Sequence, residues 1–154
     1  MTILIGADHR GYELKDELKF HLLKDFQIEI MDVGTYDKGS IDYPLIAQSL
    51  CHKLLDESNK INRGILICGS GHGMCMSANR NKDIRAAVCR KKEEVIMARK
   101  HGDINVLCLG SDHHQSFFRG TKLIEIIQKF LHTNFEGGRH AKRIEMIEIL
   151  RESG

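Results

Sequence analysis

The sequence predicts an α/β fold built on a parallel β-sheet. Short apolar runs alternate with longer helical patterns over most of the chain, which is typical of repeated βαβ units. The 154 residues are 42% hydrophobic and 29% charged, close to the average for a globular protein. With one proline and no linker-like segment, the chain is predicted to form a single domain spanning residues 1–154.

Five apolar runs are compact enough to be strands buried on both faces of a sheet. They are Thr2–Gly6, Glu29–Val33, Gly64–Cys68, Ala86–Cys89 and Val106–Gly110. Helical patterns fill the intervals between them, at Gly11–Lys24, Tyr43–Glu57, Gly73–Asn79 and Lys92–His101. Two more helices, Gln115–Leu131 and Gly138–Arg151, follow the last strand. The expected architecture is a Rossmann-like three-layer sandwich with a five-stranded parallel sheet and an extra C-terminal helix.

Composition disfavours several classes of protein. The net charge is only +2 and no basic block stands out, so we expect no nucleic-acid partner. No segment approaches the roughly 20 apolar residues of a membrane span, and the N-terminus is interpreted as a first strand rather than a signal peptide. The five cysteines contain no C-x-x-C pair, which indicates reduced thiols and a cytoplasmic protein.

Polar residues follow four of the predicted strands. They are Asp8-His9, Asp32–Gly34, Cys68 and Ser111–His114. Because the carboxyl ends of parallel strands share one edge of a sheet, these groups are expected to converge there on a ligand site. Asp8 and His9 could supply a carboxylate and an imidazole for proton transfer. The structural alternative is that Asp8 caps the helix that follows.

Cys68 and the glycine-rich loop after it are the strongest functional signal. A thiol beside free backbone N–H groups can act as a base or nucleophile. The loop Gly69-Ser70-Gly71-His72-Gly73 could hold a phosphate or a developing oxyanion. The loop matches neither the Walker A pattern nor the dinucleotide-binding pattern G-x-G-x-x-G, so nucleotide binding is disfavoured. The alternative for Cys68 is a small buried hydrophobe, which is how we interpret the other cysteines, Cys51, Cys75, Cys89 and Cys108.

Two further segments carry basic groups. His101 lies where a helix is predicted to end. It is interpreted either as a functional imidazole or as part of an ordinary helix C-terminus. Arg139 and Arg143 are one helical turn apart, which suits a phosphate dianion, although a solvated basic face is the alternative. The histidines lack metal-ligand spacing, so no metal site is predicted.

A set of short motifs runs along nearly the whole chain: Gly6-Ala7-Asp8-His9, Asp42-Tyr43-Pro44, Cys68-Gly69-Ser70-Gly71-x-Gly73, Asn79, Ile84-Arg85-Ala86, His101-x-Asp103-x-Asn105-Val106, Gly110-Ser111 and Gly137-Gly138-Arg139-His140-x-x-Arg143. In this order, the motifs resemble those of the family of ribose-5-phosphate isomerase B and galactose-6-phosphate isomerase. The resemblance implies interconversion of D-ribose 5-phosphate and D-ribulose 5-phosphate, in the non-oxidative pentose phosphate pathway, through a cis-enediolate and without metal or organic cofactor.

The resemblance also implies roles for individual residues. Cys68 would be the base that moves the proton between C2 and C1, and Ser70, where the family usually has threonine, would relay a proton between O1 and O2. His101, helped by Asp8, would open the furanose ring. The remaining substrate-binding residues would be the loop Gly69, Gly71, His72 and Gly73, the sugar-pocket residues Tyr43 and Gly102, and the phosphate-binding residues His9, Arg139 and Arg143.

The family further implies a homodimer or tetramer whose active site lies between subunits. Two departures bear on the substrate. Gly102 stands where many members have asparagine, and Asp112 stands where many have a phosphate-facing arginine, so His113 or another cation is expected to compensate. The alternatives are an isomerase of a six-carbon sugar phosphate (allose or galactose 6-phosphate) and a non-catalytic sugar-phosphate-binding module.

Overall fold

The computed structural model describes residues 1–58, 60–113 and 120–154. Five parallel strands form one sheet in the order β2-β1-β3-β5-β4. The predicted α/β fold is therefore confirmed, with strand ends that shift by no more than a residue. The strands are β1 (Thr2–Ala7), β2 (Glu29–Asp32), β3 (Gly64–Cys68), β4 (Ala86–Val88) and β5 (Val106–Gly110).

Each predicted helix has a counterpart in the structure. The second helix is shorter than predicted: it ends at Leu54, whereas the prediction extended it to Glu57. The predicted start of the fifth helix, at Gln115, lies outside the described residues. The helices are α1 (Tyr12–Phe26), α2 (Tyr43–Leu54), α3 (His72–Ala78), α4 (Lys92–Gly102), α5 (Gly120–His132) and α6 (Arg139–Glu152). None of the helices described is both long and apolar enough to cross a membrane.

Alternate side chains of β1, β3, β4 and β5 enter two hydrophobic clusters, one on each face of the sheet. In β1, Ile3 and Ile5 face the cluster formed with α1, α4 and α5. Leu4 faces the opposite cluster, formed with α2 and α3. This gives the predicted three layers, helices, sheet and helices.

The extra C-terminal helix lies outside these layers. It packs against α4, and His140 is its one buried residue among those described. Its apolar side chains Met146, Ile147, Ile149 and Leu150 remain exposed. The chain by itself thus leaves an apolar face of α6 uncovered.

A buried lysine that the sequence analysis did not single out joins α1 to the end of β2. The Lys15 side chain is 0% exposed, and its Nζ donates to both carboxylate oxygens of Asp32, at 2.7 and 2.8 Å, and to the Thr35 carbonyl. Lys19 adds a third bond to Asp32, at 2.6 Å. Burial by itself raises the pKa of the Asp32 carboxyl, but the hydrogen bonds from Lys15, Lys19 and the Gly34 N–H lower it below its ordinary value. The Asp32 carboxylate thus has a structural role, in which it binds Lys15 and Lys19 of α1.

Candidate active site

The register of the sheet brings three polar strand ends to one edge. Ala7 pairs with Ile67, and Cys68 pairs with Gly110, so Asp8, Cys68 and Ser111 leave the sheet at the same level. The Asp8 N–H donates to the Ile67 carbonyl at 3.1 Å. The predicted convergence at the carboxyl edge is therefore observed for these residues.

Cys68 ends β3 as a buried thiol, 5% exposed. The Gly71 N–H donates to its Sγ at 3.1 Å. Gly71 has φ +83°, a left-handed conformation that favours glycine, and it directly precedes α3. The turn therefore brings the Gly71 N–H back onto the sulfur.

Two side chains from other elements lie on this loop. A Cβ at Gly73 would come within 2.8 Å of the Tyr43 ring, which places Tyr43, the first residue of α2, against the loop. A Cβ at Gly69 would come within 2.4 Å of the Arg10 guanidinium. Glycine at both positions is what lets these side chains approach the loop backbone. Tyr43 and Arg10 therefore flank the loop that carries Cys68.

The other loop side chains make local contacts. The Ser70 Oγ accepts a hydrogen bond from the His72 N–H at 3.3 Å. The His72 ring faces outward, with Nε2 3.3 Å from the Arg90 guanidinium. Both residues thus remain at the rim of the loop, and their roles toward a substrate stay predictions.

Asp8 does not cap α1, whose N-cap is Gly11 without a side-chain cap hydrogen bond; instead it orders the turn before the helix. Its Oδ1 accepts the N–H groups of Arg10, at 2.9 Å, and Gly11, at 3.0 Å. The residue is 5% exposed. The His9 Nδ1 lies 3.3 Å from both the backbone nitrogen and the carbonyl oxygen of Ile41. Asp8 thereby orders the segment that presents His9 and Arg10 at the carboxyl edge.

A cavity of about 590 Å³ opens beside this segment. Its lining includes His9, Arg10, Lys38, Ser111 and Asp112. The Asp112 carboxylate binds Arg10 through both oxygens, each 2.8 Å from Nη2. The cation that balances the charge of Asp112 is thus Arg10, which the sequence analysis did not identify. The two positions are 102 residues apart in the chain, so no local pattern could have joined them.

His101 lies at the opposite edge of the sheet. Helix α4 returns from the end of β4 to the start of β5 and ends at Gly102. Next to it, the Asp103 carboxylate binds Arg85, the residue before β4, at 2.9 Å. The five residues of β3 separate the two edges by roughly 13 Å or more. One chain therefore does not bring His101 to Cys68.

The start of α6 joins His101 at this amino edge. The His101 and His140 rings stack with centroids 4.1 Å apart and planes 7° from parallel. The Glu136 Oε2 lies 3.7 Å from the His101 Nε2 and 3.9 Å from the His140 Nε2. Burial, and then His101, Arg139 and Arg143, lower the pKa of His140. The predicted basic residues His101, Arg139 and Arg143 are thus grouped, but at the edge away from Cys68.

His101, Glu136 and His140 are also close enough to be considered as metal ligands, with all donor atoms within 4.8 Å. An imidazole binds a metal ion in its ring plane, through a nitrogen lone pair. Two nearly parallel, stacked planes cannot both contain one ion. As placed, the cluster suits proton transfer or anion binding better than a shared metal. His140 and Glu136 were not among the predicted site residues, although His140 stands between Arg139 and Arg143 in the motif.

Cys75 packs against the core as a small hydrophobic residue, as expected, but it is only partly buried. The residue is half-buried, and its sulfur lies 3.3 Å from the Ala86 carbonyl and 3.5 Å from the Asn79 Nδ2. Hydrogen bonds from the Cys108 thiol, the Val88 N–H and Asn79 outweigh burial and lower the pKa of Cys75 to about 7. Its hydrogen-bonding neighbours could not be seen in the sequence.

Cys75 is expected to be alkylated faster than Cys51, Cys89 and Cys108. Burial raises the pKa of Cys51 to about 11 and that of Cys89 to about 12, and the hydrogen bond to Cys75, together with burial, raises the pKa of Cys108 well above its ordinary value. Because the thiolate is the reactive form, brief iodoacetamide treatment near neutral pH should label Cys75 first among these four. Peptide mass spectrometry of native protein, with denatured protein as the control, measures the order. Equal labelling of the four thiols in the native protein would contradict this expectation.

Fold and site together define a class of α/β proteins that hold a thiol under a glycine-rich loop at the carboxyl edge of a parallel sheet. The chain belongs to the ribose/galactose isomerase family, whose family model matches residues 3–147. A Mycoplasma genitalium protein named "Probable ribose-5-phosphate isomerase B" is 41% identical over 147 residues, covering 95% of this chain and 93% of the relative.

Solved structures agree with this membership. The ribose-5-phosphate isomerase B of Clostridium thermocellum superposes with a TM-score of 0.88 at 37% identity, covering 99% of both chains. The enzyme of Mycoplasma genitalium with bound ribulose-5-phosphate superposes with a TM-score of 0.85 at 39% identity, covering 99% of this chain and 97% of the other. The resemblance predicted from the motifs is confirmed.

Proposed function

We propose that the protein is a ribose-5-phosphate isomerase that interconverts D-ribose 5-phosphate and D-ribulose 5-phosphate. The observation that carries this proposal is the Cys68 thiol under the Gly71 N–H, in a family member whose relative binds ribulose-5-phosphate. The chain would act as one domain in the cytoplasm, in the non-oxidative pentose phosphate pathway. No metal or organic cofactor is needed for the proposed reaction, because a side-chain base and backbone donors can carry it.

Cys68 is the proposed base. As a thiolate it takes the proton from C2 of the open-chain aldose, and the electrons of the C–H bond form the C1–C2 double bond of a cis-enediolate. The N–H groups of the loop from Gly69 to Gly73 stabilise the charged oxygens. Ser70 relays a proton between O2 and O1, and the Cys68 thiol returns its proton to C1. The net result is the ketose, with the thiolate restored.

The other residues bind and open the sugar. His101, with Asp8, protonates the ring oxygen so that the furanose opens. His9, Arg139 and Arg143 bind the phosphate. Tyr43, which lies on the loop, lines the sugar pocket together with Gly102 of the His101 segment.

These roles require two copies of the chain, because Cys68 and His101 lie at opposite edges of one sheet. A homodimer solves this if the Cys68 edge of one copy meets the His101 edge of the other. Exposed apolar side chains on three helices support such a contact. Leu45 and Met76 are 65% exposed on α2 and α3, while Met146, Ile147 and Leu150 are exposed on α6. Two such interfaces related by a two-fold axis form two complete sites.

Mixing two inactive variants is expected to restore activity. In a hybrid dimer of Cys68→Ala and His101→Ala chains, one of the two sites keeps both Cys68 and His101. Random reassembly after denaturation then gives about a quarter of the parental sites. The measurement is isomerase activity of the mixture, with each variant refolded alone as the control. Complementation of no more than the sum of the two controls would place both residues of a working site in one chain.

A coupled assay of ketose formation from ribose 5-phosphate tests the activity itself. Allose and galactose 6-phosphates serve as competing substrates. One observation favours this second, six-carbon candidate: among the described residues of one chain, the first atom that a Cβ at Gly102 would meet is the Ile104 Cγ2, at 3.7 Å, so the glycine leaves room for a longer sugar. Thermal stabilisation by ribose 5-phosphate without turnover would instead favour a non-catalytic binding module.

A further inference from the structure

Arg10 is fastened to the catalytic loop, yet the proposed mechanism gives it no role. Its guanidinium lies on Gly69, where a Cβ would be 2.4 Å from both Cζ and Nη1. Its Nη2 binds the two oxygens of Asp112 at 2.8 Å. The Asp112 N–H donates in turn to the Gly69 carbonyl, at 3.0 Å. Arg10, Asp112 and Gly69 therefore form a closed set of contacts next to Cys68.

Stability does not account for this arrangement. The side chains of Arg10 and Asp112 are 56% and 39% exposed, and ion pairs at such exposure contribute little to folding. What the pair does accomplish is to fix a long, flexible side chain in one place. Within the described part of the chain, the Arg10 guanidinium donates to Asp112, and only its Nη2 takes part in this pair. The Nε and Nη1 donors remain for a ligand.

The guanidinium donors of Arg10 that Asp112 does not use favour an anionic ligand, in a cavity whose lining also carries the carboxylates of Glu13 and Glu17. Arg10 and His9 line the same cavity of about 590 Å³. Lys38, the other cation in this lining, is already paired with Glu13. A planar guanidinium with several N–H donors matches the oxygens of a phosphate monoester. The Arg10 guanidinium offsets the negative charge of Asp112 through the Nη2 bonds. The Asp112 carboxylate therefore does not keep a phosphate from the Nε and Nη1 donors of Arg10.

We propose that Arg10 binds the phosphate group of the sugar phosphate and that Asp112 is the positioning residue that holds Arg10 over Gly69. The inference rests on the proposed function for the identity of the sugar. It assigns phosphate binding at the carboxyl edge to Arg10 together with His9. It also explains how a site with an aspartate at position 112 accepts a phosphate ester.

Three single variants test the proposal: Arg10→Gln, Asp112→Asn and the control Lys24→Gln, which removes one positive charge at the far end of α1. Arg10→Gln is expected to raise both the KM for ribose 5-phosphate and the inhibition constant of inorganic phosphate by about tenfold or more, with kcat within about threefold of the parent. Lys24→Gln should leave all three constants unchanged. Thermal unfolding should be the same for all the proteins.

Asp112→Asn separates positioning from simple repulsion. If Asp112 only repelled the phosphate, its loss would tighten inorganic phosphate binding. If it positions Arg10, its loss weakens that binding, and the KM rises with little change in kcat. The charge reversal Arg10→Asp with Asp112→Arg should bind phosphate more tightly than Arg10→Asp alone, since it returns a guanidinium to the same pair.

Isothermal titration with inorganic phosphate makes the test independent of turnover. If the parent fails to convert ribose 5-phosphate, the proposed function fails, while the titration still decides the role of Arg10. Unchanged phosphate affinity in Arg10→Gln would overturn the assignment, as would a loss confined to kcat. Tighter phosphate binding in Asp112→Asn would overturn the positioning role.

Discussion

Cys68→Ala is expected to lower kcat for ribose 5-phosphate isomerisation by about 10³-fold or more, since a positioned base contributes on the order of 10²–10⁴ and nothing replaces the lost sulfur. Binding should persist, because the loop N–H groups and the phosphate-binding cations are unchanged. Ribose 5-phosphate should therefore still raise the melting temperature of the variant. Exchange of the C2 hydrogen with solvent deuterium measures the same step directly and should be lost in parallel.

Cys75→Ala is the matched control. It removes a second thiol from the same face of the sheet, one whose pKa is lowered to about 7, without touching the Gly71 contact. This control should retain isomerase activity. If Cys75→Ala lost activity and Cys68→Ala retained it, the base would be Cys75 and the proposed role of Cys68 would be wrong.

The second large effect concerns stability. Asp32→Asn is expected to reduce the free energy of unfolding by about 3–5 kcal/mol, because it leaves the fully buried Lys15 ammonium without its counter-ion. Urea denaturation followed by circular dichroism measures the change. Glu13→Gln, which breaks the exposed pair with Lys38, is the control and should have little effect. The double variant Lys15→Met with Asp32→Asn should recover part of the loss, since the buried charge is then gone.

This effect should depend on pH in one direction. The pKa of Asp32 in the folded protein lies below its ordinary value of 3.8. Its ion pairs therefore stabilise the fold fully above that value, and the stabilisation is lost as the pH falls through the lower, folded-state pKa. The difference between parent and Asp32→Asn should be largest near neutral pH and shrink in acid. A difference that grew below the ordinary value would contradict the sign of the shift.

Local patterns in the sequence determined much of this protein. Runs such as Gly64–Cys68 are apolar on both faces, which only a strand covered by helices can satisfy, so the parallel sheet could be predicted. The glycine loop after Cys68 could likewise be predicted, because free N–H groups and positive φ are properties of a few adjacent residues. The motifs at matching intervals then pointed to the family.

Only the tertiary structure decided what depends on residues distant in the chain. It set the strand order β2-β1-β3-β5-β4. It also joined Arg10 to Asp112 and buried Lys15 against Asp32. The physical reason is the same throughout. Charge pairing and strand order are fixed by three-dimensional packing, and residues far apart in sequence carry no local sign of the partner they will meet.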